Sequence, residues 1–313
     1  TAGLTVRILG LTSKVHIVLA AALLVTFPNI SAIFSYLFTA DAYFLALLLN
    51  TLGVYCTKRF RWGWAAAIPM MAVACGTYQS FICYAIGLFL FDCIFMLLDG
   101  VPLGKVFQTG FGYIGICAAS LLLYYVILKA VLLSTHTQLV DYQGMNQISL
   151  SNIPLFLQQF PLAYGLFLYH FLTPGYLNTF YQVVQIIFCL FLAASVICLV
   201  FLKKLYRDVP RLLLLAAGLA LVPLALNFIA ILAVGAGVHN LMIYAFVLLF
   251  LLALKFAELV MQELISRQKP AWRPVFWVNL ALCAALVWCG FYTNNISYLR
   301  LQLRYEHTLA AAN

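Results

Sequence analysis

The stretch Thr39–Arg61, TADAYFLALLLNTLGVYCTKRFR, decides the fold, because it reads as an acid, an apolar rod and a basic stop. Sixteen residues without a charge separate Asp41 from Lys58, and as helix at roughly 1.5 Å per residue they measure about 24 Å. With its flanks the rod approaches the ~30 Å hydrocarbon thickness of a bilayer, so the stretch predicts a membrane span. Basic residues resist translocation while acidic ones scarcely weigh. Lys58, Arg59 and Arg61 therefore mark the cytoplasmic end and Asp41 the outer one.

Composition extends this reading to the whole chain. With 66% hydrophobic residues, 8% charged and a mean hydropathy of +1.06, a soluble fold would have no water-compatible surface left, and a polytopic membrane protein is expected. In lipid every backbone amide must be paired internally, and the long unalternating apolar runs lack a barrel's signature. The expected fold is an all-α transmembrane bundle, one domain over residues 1–313. The net charge of +9 falls in short clusters between apolar runs, which makes the basic residues topology determinants and not a nucleic-acid surface. Nine cysteines sit in or beside apolar runs without a CxxC pair and read as small core residues. The opening TAGLTVRILGLTS has neither an initiator Met nor a signal-peptide layout and reads as the tail of an earlier helix, so further helices are expected upstream.

Taken in order, Val15–Phe27 is a short run broken by Pro28-Asn29 before Ile30–Phe38, a kinked or re-entrant entry. Ala42–Thr57 crosses inward. After the KRFR turn and the interfacial Trp62 and Trp64 the chain goes outward past Pro69, turns at Gly76–Ser80, and returns through Phe81–Leu98 with Asp92 near the inner end. Val106–Leu133 crosses outward. Residues 134–175 are too polar to span and too apolar for a free loop, and predict a partly buried cap on the outer face. Further spans follow from Gly175 to Leu202, Leu212 to Val234, Leu241 to Leu264 and Pro274 to Phe291, with an external tail over 293–313. This gives about nine crossings, N-terminus cytoplasmic and C-terminus outside, with every basic cluster on one side. Lys255 is the misfit, and with Glu258 at i, i+3 it reads as a helical ion pair.

The outer face collects Asp41, Tyr78, Gln79, Lys129, His136, Asp141, His170, His239, Asn240, Arg300 and Arg304, and a polar set converging on one membrane face is where a site belongs. Asp41 suits a general base, or a carboxylate positioning a metal or a sugar hydroxyl; it also suits a solvated N-cap. Lys129, Arg300 and Arg304 suit a lipid phosphate, or headgroup snorkelling. Tyr78, Gln79, Asp141, His239 and Asn240 are candidate substrate contacts, with polar turn or cap residues as the plainer account of Asp141, His239 and Asn240. His16, His170 and Asp92 read as satisfied interior groups. The chain has no P-loop, no GxGxxG following a strand, no HExxH and no GxSxG, and metal-ligand spacing is absent. No cofactor is evident, and a need for a divalent metal is left open.

Three segments carry a resemblance: FPNISAIFSYLFTADAYFLALLLNTLGVYCTKRFRWGW from Phe27, GTYQSFICYAIGLFLFD from Gly76, and NNISYLRLQLRYEHTLAAAN from Asn294. In these the chain resembles the type II glucosyltransferases of bacteria and their phages, which decorate lipopolysaccharide O-antigen. The resemblance implies a GT-C type fold in the bacterial inner membrane. It implies transfer of a hexose, glucose first, from an undecaprenyl-phosphate carrier to a polysaccharide acceptor at the periplasmic face, with membrane lipids as further partners. It also implies a leading catalytic acid in the first external loop, upstream of Thr1, with Asp41 as a second-loop carboxylate. A transporter or flippase of a lipid-linked sugar would need charges lining the midplane or paired interrupted repeats, and the sequence offers few of the first and none evident of the second. A structural or assembly subunit would need no polar pocket beneath the cap.

Overall fold

The computed structural model describes residues 1–138, 153–173, 179–232 and 238–312. They are helical, with no strand among them: α1 Ala2–Leu9, α2 Lys14–Thr26, α3 Asn29–Phe34, α4 Ala40–Arg59, α5 Gly63–Tyr78, α6 Ile82–Leu98, α7 Leu103–Thr135, α8 Ile153–Gln158, α9 Phe160–Leu172, α10 Thr179–Leu202, α11 Val209–Leu226, α12 Ile229–Leu232, α13 Val247–Ser266 and α14 Trp272–Ala312. Among the described residues, seven stretches are long and apolar enough to cross a membrane.

Two places separate the seven stretches from the expected count of about nine crossings. The first run ends early: α2 has 13 residues, about 20 Å of helix, and Pro28 separates it from α3. At the second, Gly63–Leu98 is a single apolar stretch of 36 residues. Within it Tyr78 takes an extended conformation before the 3-10 turn Gln79–Phe81, which divides α5 from α6 about where the GTYQS segment predicted a turn. The Lys58 ammonium at the end of α4 pairs with Asp92 of α6, so α6 runs back alongside α4, away from the end where α5 finishes.

Helices of equal hydropathy differ widely in burial. In the 3-10 segment Asn240–Phe246 and α13, every residue from Met242 to Glu258 is buried within the protein, as suits a helix apolar on every side. Around it stand α2, α6, α10 and α14. Its core is aromatic, with Phe250 edge-on to Phe27 at 6.0 Å and to Phe188 at 5.3 Å. By contrast α7 buries only Val106, Tyr113, Ile116 and Ser120; its apolar outer surface, with Leu122, Val126 and Leu133 exposed, is the kind that lipid covers. The nine cysteines are free thiols.

Of the expected cap over 134–175, residues 139–152 and 174–175 lie outside the described residues, Asp141 with them. The described part holds α8 and α9, and α9 packs on α10, α11 and α12, with Asn227 Nδ2 donating to the Ala163 carbonyl at 2.9 Å. The expected tail over 293–313 is not set off by a break: α14 is one helix of 41 residues, about 60 Å long.

Candidate functional site

Hydrogen bonds fix which helix ends lie together. At one end the helix C-termini are closed by basic side chains, as their dipoles and orphan carbonyls favour. Arg211 Nη1 donates to the carbonyls of Leu97 and Val101 at 3.0 and 3.1 Å. Lys203 Nζ reaches the Leu98 carbonyl at 3.1 Å, and Arg267 donates to the Leu202 carbonyl. Glu263 sits between Lys203 and Arg267, 3.7 Å from each. Just outside the span, the Arg211 guanidinium and backbone N–H hold the Asp208 carboxyl below its ordinary range. Lys58 donates to the Ile8 carbonyl at 2.9 Å and to Asp92, and Asp92 also accepts from the Tyr113 hydroxyl at 2.6 Å. Asp92 is thus a satisfied interior group, as the sequence suggested. This is the basic end.

The Lys255–Glu258 pair does more than its i, i+3 spacing indicates. Lys255 Nζ donates to the Gly10 carbonyl at 2.6 Å, where Gly10 ends α1 in the left-handed conformation at φ 62° that glycine adopts without strain. Glu258 Oε1 accepts the backbone N–H groups of Thr12 and Ser13 at 2.9 and 2.7 Å. One buried pair therefore supplies a cation to the C-terminus of α1 and an anion to the N-terminus of α2, each where the helix dipole favours it. His16, fully buried, hydrogen-bonds Asn279 of α14 at 2.9 Å.

The opposite end is polar without being closed by charge. Asp41 lies exposed in the first turn of α4, one carboxylate oxygen accepting the Ala42 N–H at 2.9 Å. Two residues on, the Tyr43 ring meets Tyr78 edge-on at 4.6 Å, and Gln79 Nε2 donates to the Tyr124 hydroxyl of α7 at 2.7 Å. The segment from Asn240 packs against both the Gln79–Phe81 turn and α3, and Asn29 donates to the Asn240 carbonyl. Asn294 bridges the break after α2, accepting from Ser31 N–H at 3.2 Å and donating to the Thr26 carbonyl at 2.9 Å. Asp41, Tyr78, Gln79, His239 and Asn240 thus share one end of the bundle.

The cationic candidates stand farther out. Lys129 is five residues beyond Tyr124 on α7, exposed, its ammonium 5.5 Å from the Tyr125 ring. Arg300 and Arg304 lie six and ten residues beyond Asn294 on α14, about 9 and 15 Å along the helix. His170 packs among Phe27, Phe171 and Phe246. Among the described residues no three His, Cys, Asp or Glu side chains gather closely enough to hold a metal ion. Asn29 and Asn294 were missed in the sequence; the only trace they left was the Pro28-Asn29 break, which required something to satisfy the backbone around it.

Fold and site together define a multi-pass helical membrane protein with a fastened basic end and a polar end opposite. The family model described as Glucosyl transferase GtrII matches residues 1–250, and the chain belongs to that family. No curated protein and no solved structure matches it. Family membership implies a glycosyltransferase, an enzyme with a sugar donor and a glycan acceptor.

Proposed function

We propose that the chain moves a hexose, glucose first, from a polyprenyl-phosphate carrier to O-antigen or a related surface polysaccharide, at the periplasmic face of the bacterial inner membrane and on a GT-C type scaffold. The observation that carries this reading is the position of Asp41. Its carboxylate is exposed at the head of α4, on the end away from the basic clusters, with one oxygen held by Ala42 N–H and the other bonded to no described residue. An acceptor hydroxyl attacks the anomeric carbon as its proton passes to Asp41. The bond from that carbon to the phosphate oxygen breaks, and polyprenyl phosphate leaves with the electron pair. Lys129, Arg300 and Arg304 take the phosphate charge as it develops. Tyr78, Gln79, His239 and Asn240, with Asp141, offer the donors and acceptors a sugar requires.

The test is transfer from polyprenyl-phosphate-linked glucose by the intact protein and its Asp41→Asn variant. Loss of a general base lowers the turnover rate by about a hundred- to ten-thousand-fold. A wild-type rate in Asp41→Asn removes Asp41 from the mechanism.

A further inference from the structure

Near the helix ends, aromatic side chains recur with a cation over the ring: Arg61 over Trp62, Arg207 over Tyr206 and Arg273 over Trp272 at the basic end, and Lys129 over Tyr125 toward the other. Such a pair anchors a protein in a bilayer, the ring at headgroup level and the cation on a phosphate. The aromatic residues ahead of α4 break the pattern. Phe34, Tyr36 and Phe38 are exposed, Phe38 by 83%, yet the chain has no Lys or Arg between Lys14 and Lys58. Among the described residues no cation lies over these three rings. The charge beside them in the chain is the exposed carboxylate of Asp41, which an anionic headgroup layer repels.

The turn that carries the rings is held by its own backbone. The N–H groups of Ser35, Tyr36 and Thr39 donate to the carbonyls of Ser31, Ile33 and Tyr36 at 3.0, 3.1 and 2.9 Å, and Phe34 packs on Phe44 of α4 at 5.7 Å. Tyr36 and Phe38 meet edge to face at 6.3 Å and 71°. Phe38 precedes Asp41 by three residues where the 3-10 turn Leu37–Thr39 runs into α4, and at that spacing on a helix Cβ atoms stand about 5–6 Å apart. A flat apolar ring one turn from a carboxylate suits a pyranose, which offers a C–H face to the ring and a rim of hydroxyls to the acid. A lipid chain has no use for the carboxylate, and a lipid phosphate is repelled by it.

We infer that Phe38, with Tyr36 as a side wall, is the platform on which a pyranose of the acceptor polysaccharide stacks, presenting one of its hydroxyls to Asp41. The inference rests on the transferase reading above and adds to it the residues that recognise the acceptor. Stacking of this kind is equally strong before and during transfer, so its loss raises the acceptor KM and leaves kcat in place. Asp41, by contrast, acts on kcat.

The experiment uses the full chain in nanodiscs, with polyprenyl-phosphate-linked glucose as donor and O-polysaccharide released from lipopolysaccharide as acceptor. Phe38→Ala should raise the acceptor KM about tenfold, with kcat and the donor KM held within about twofold. Phe38→Trp keeps a flat face and should match the wild type. Phe38→Leu keeps apolar bulk that a bilayer would accept but has no flat face, and should behave as Phe38→Ala does. A wild-type acceptor KM in Phe38→Ala or Phe38→Leu, or a donor KM that rises as far as the acceptor KM, overturns the inference. If the wild type transfers to no O-polysaccharide, the transferase reading fails, and the platform is tested by itself with Phe38→Trp in a background whose five native tryptophans are replaced by Phe. A saturable shift of the indole emission on adding the polysaccharide, without quenching by bromine-labelled phosphatidylcholine, upholds the platform. Quenching by the bromolipid, or no shift with the polysaccharide, marks a bilayer anchor and overturns it.

Discussion

Glu258 and Ser13, 245 residues apart in the chain, meet at 2.7 Å, the carboxylate of α13 accepting the backbone N–H that opens α2. With Lys255 on the Gly10 carbonyl, this contact fastens the first hairpin of the chain to its most buried helix. Removing one partner leaves the other charge buried and uncompensated. Glu258→Ala should therefore destabilise the protein by about 3–5 kcal/mol, read as a lowered thermal transition in detergent. Glu258→Gln keeps acceptors for Thr12 and Ser13 and should lose less. The double variant Lys255→Met/Glu258→Leu should recover part of the loss, and no recovery would show that the helix caps outweigh the charge balance.

Sidedness is open to chemical labelling. Single cysteines at Asp41 and His239, in a background without the native thiols, should react with a membrane-impermeant maleimide from one face of the bilayer. Cysteines at Arg61 and Lys269 should react only from the other. Asp41 and His239 labelled from different faces would end the transferase proposal in its present form.

Asp208 caps the start of α11 and pairs with Arg211 at 2.9 Å, and its folded pKa lies below the unfolded value. A depressed carboxyl contributes stability that is present above the unfolded pKa and is lost as pH falls through the folded one. Thermal stability should thus be level at neutral pH and fall on the acid side of the ordinary carboxylate range. Asp208→Asn keeps an acceptor for the Arg211 N–H and should flatten that part of the profile. An unchanged acid limb in Asp208→Asn would assign it to other carboxylates.

Gly290 lies where α14 crosses the end of α2, and a Cβ there would overlap the Thr26 carbonyl oxygen. Because the obstacle is backbone, the helices must part. Gly290→Ala should cost about 1–3 kcal/mol, the usual range for overpacking. It should also loosen the Asn294 bridge and raise proteolytic cutting between Phe27 and Ser35, and wild-type resistance there would show that the bridge adapts.

The helical membrane architecture was legible because hydrocarbon thickness and translocated charge act on single stretches of sequence, as Asp41 to Arg61 illustrates. What the sequence hid was partnership at long range. Lys255 and Glu258 looked like a local pair because helical periodicity reveals neighbours three or four residues away and nothing else, whereas their further partners lie in the α1–α2 turn. The seven apolar stretches fall short of nine crossings because α2 is short and because hydropathy runs on through Tyr78, where the backbone turns as the GTYQS segment indicated. At the candidate site, sidedness gathered Asp41, Tyr78, Gln79, His239 and Asn240 at one end, but the standing of Lys129 and the two arginines farther out follows from the uninterrupted lengths of α7 and α14. Asn29 and Asn294 act on carbonyls and amides of other segments, and nothing in their neighbouring residues announces it.

The bonds from Arg211, Lys203 and Arg267 onto the carbonyls of Leu97, Val101, Leu98 and Leu202 stitch four helices together at one extremity with full charges, whereas neutral amides such as Gln79 and Asn294 join the segments at the other. Charged and neutral seams answer differently to a lesion: loss of Arg211 strips two carbonyls of their donor at once, so it should loosen the stitched extremity while leaving the amide-joined one in place.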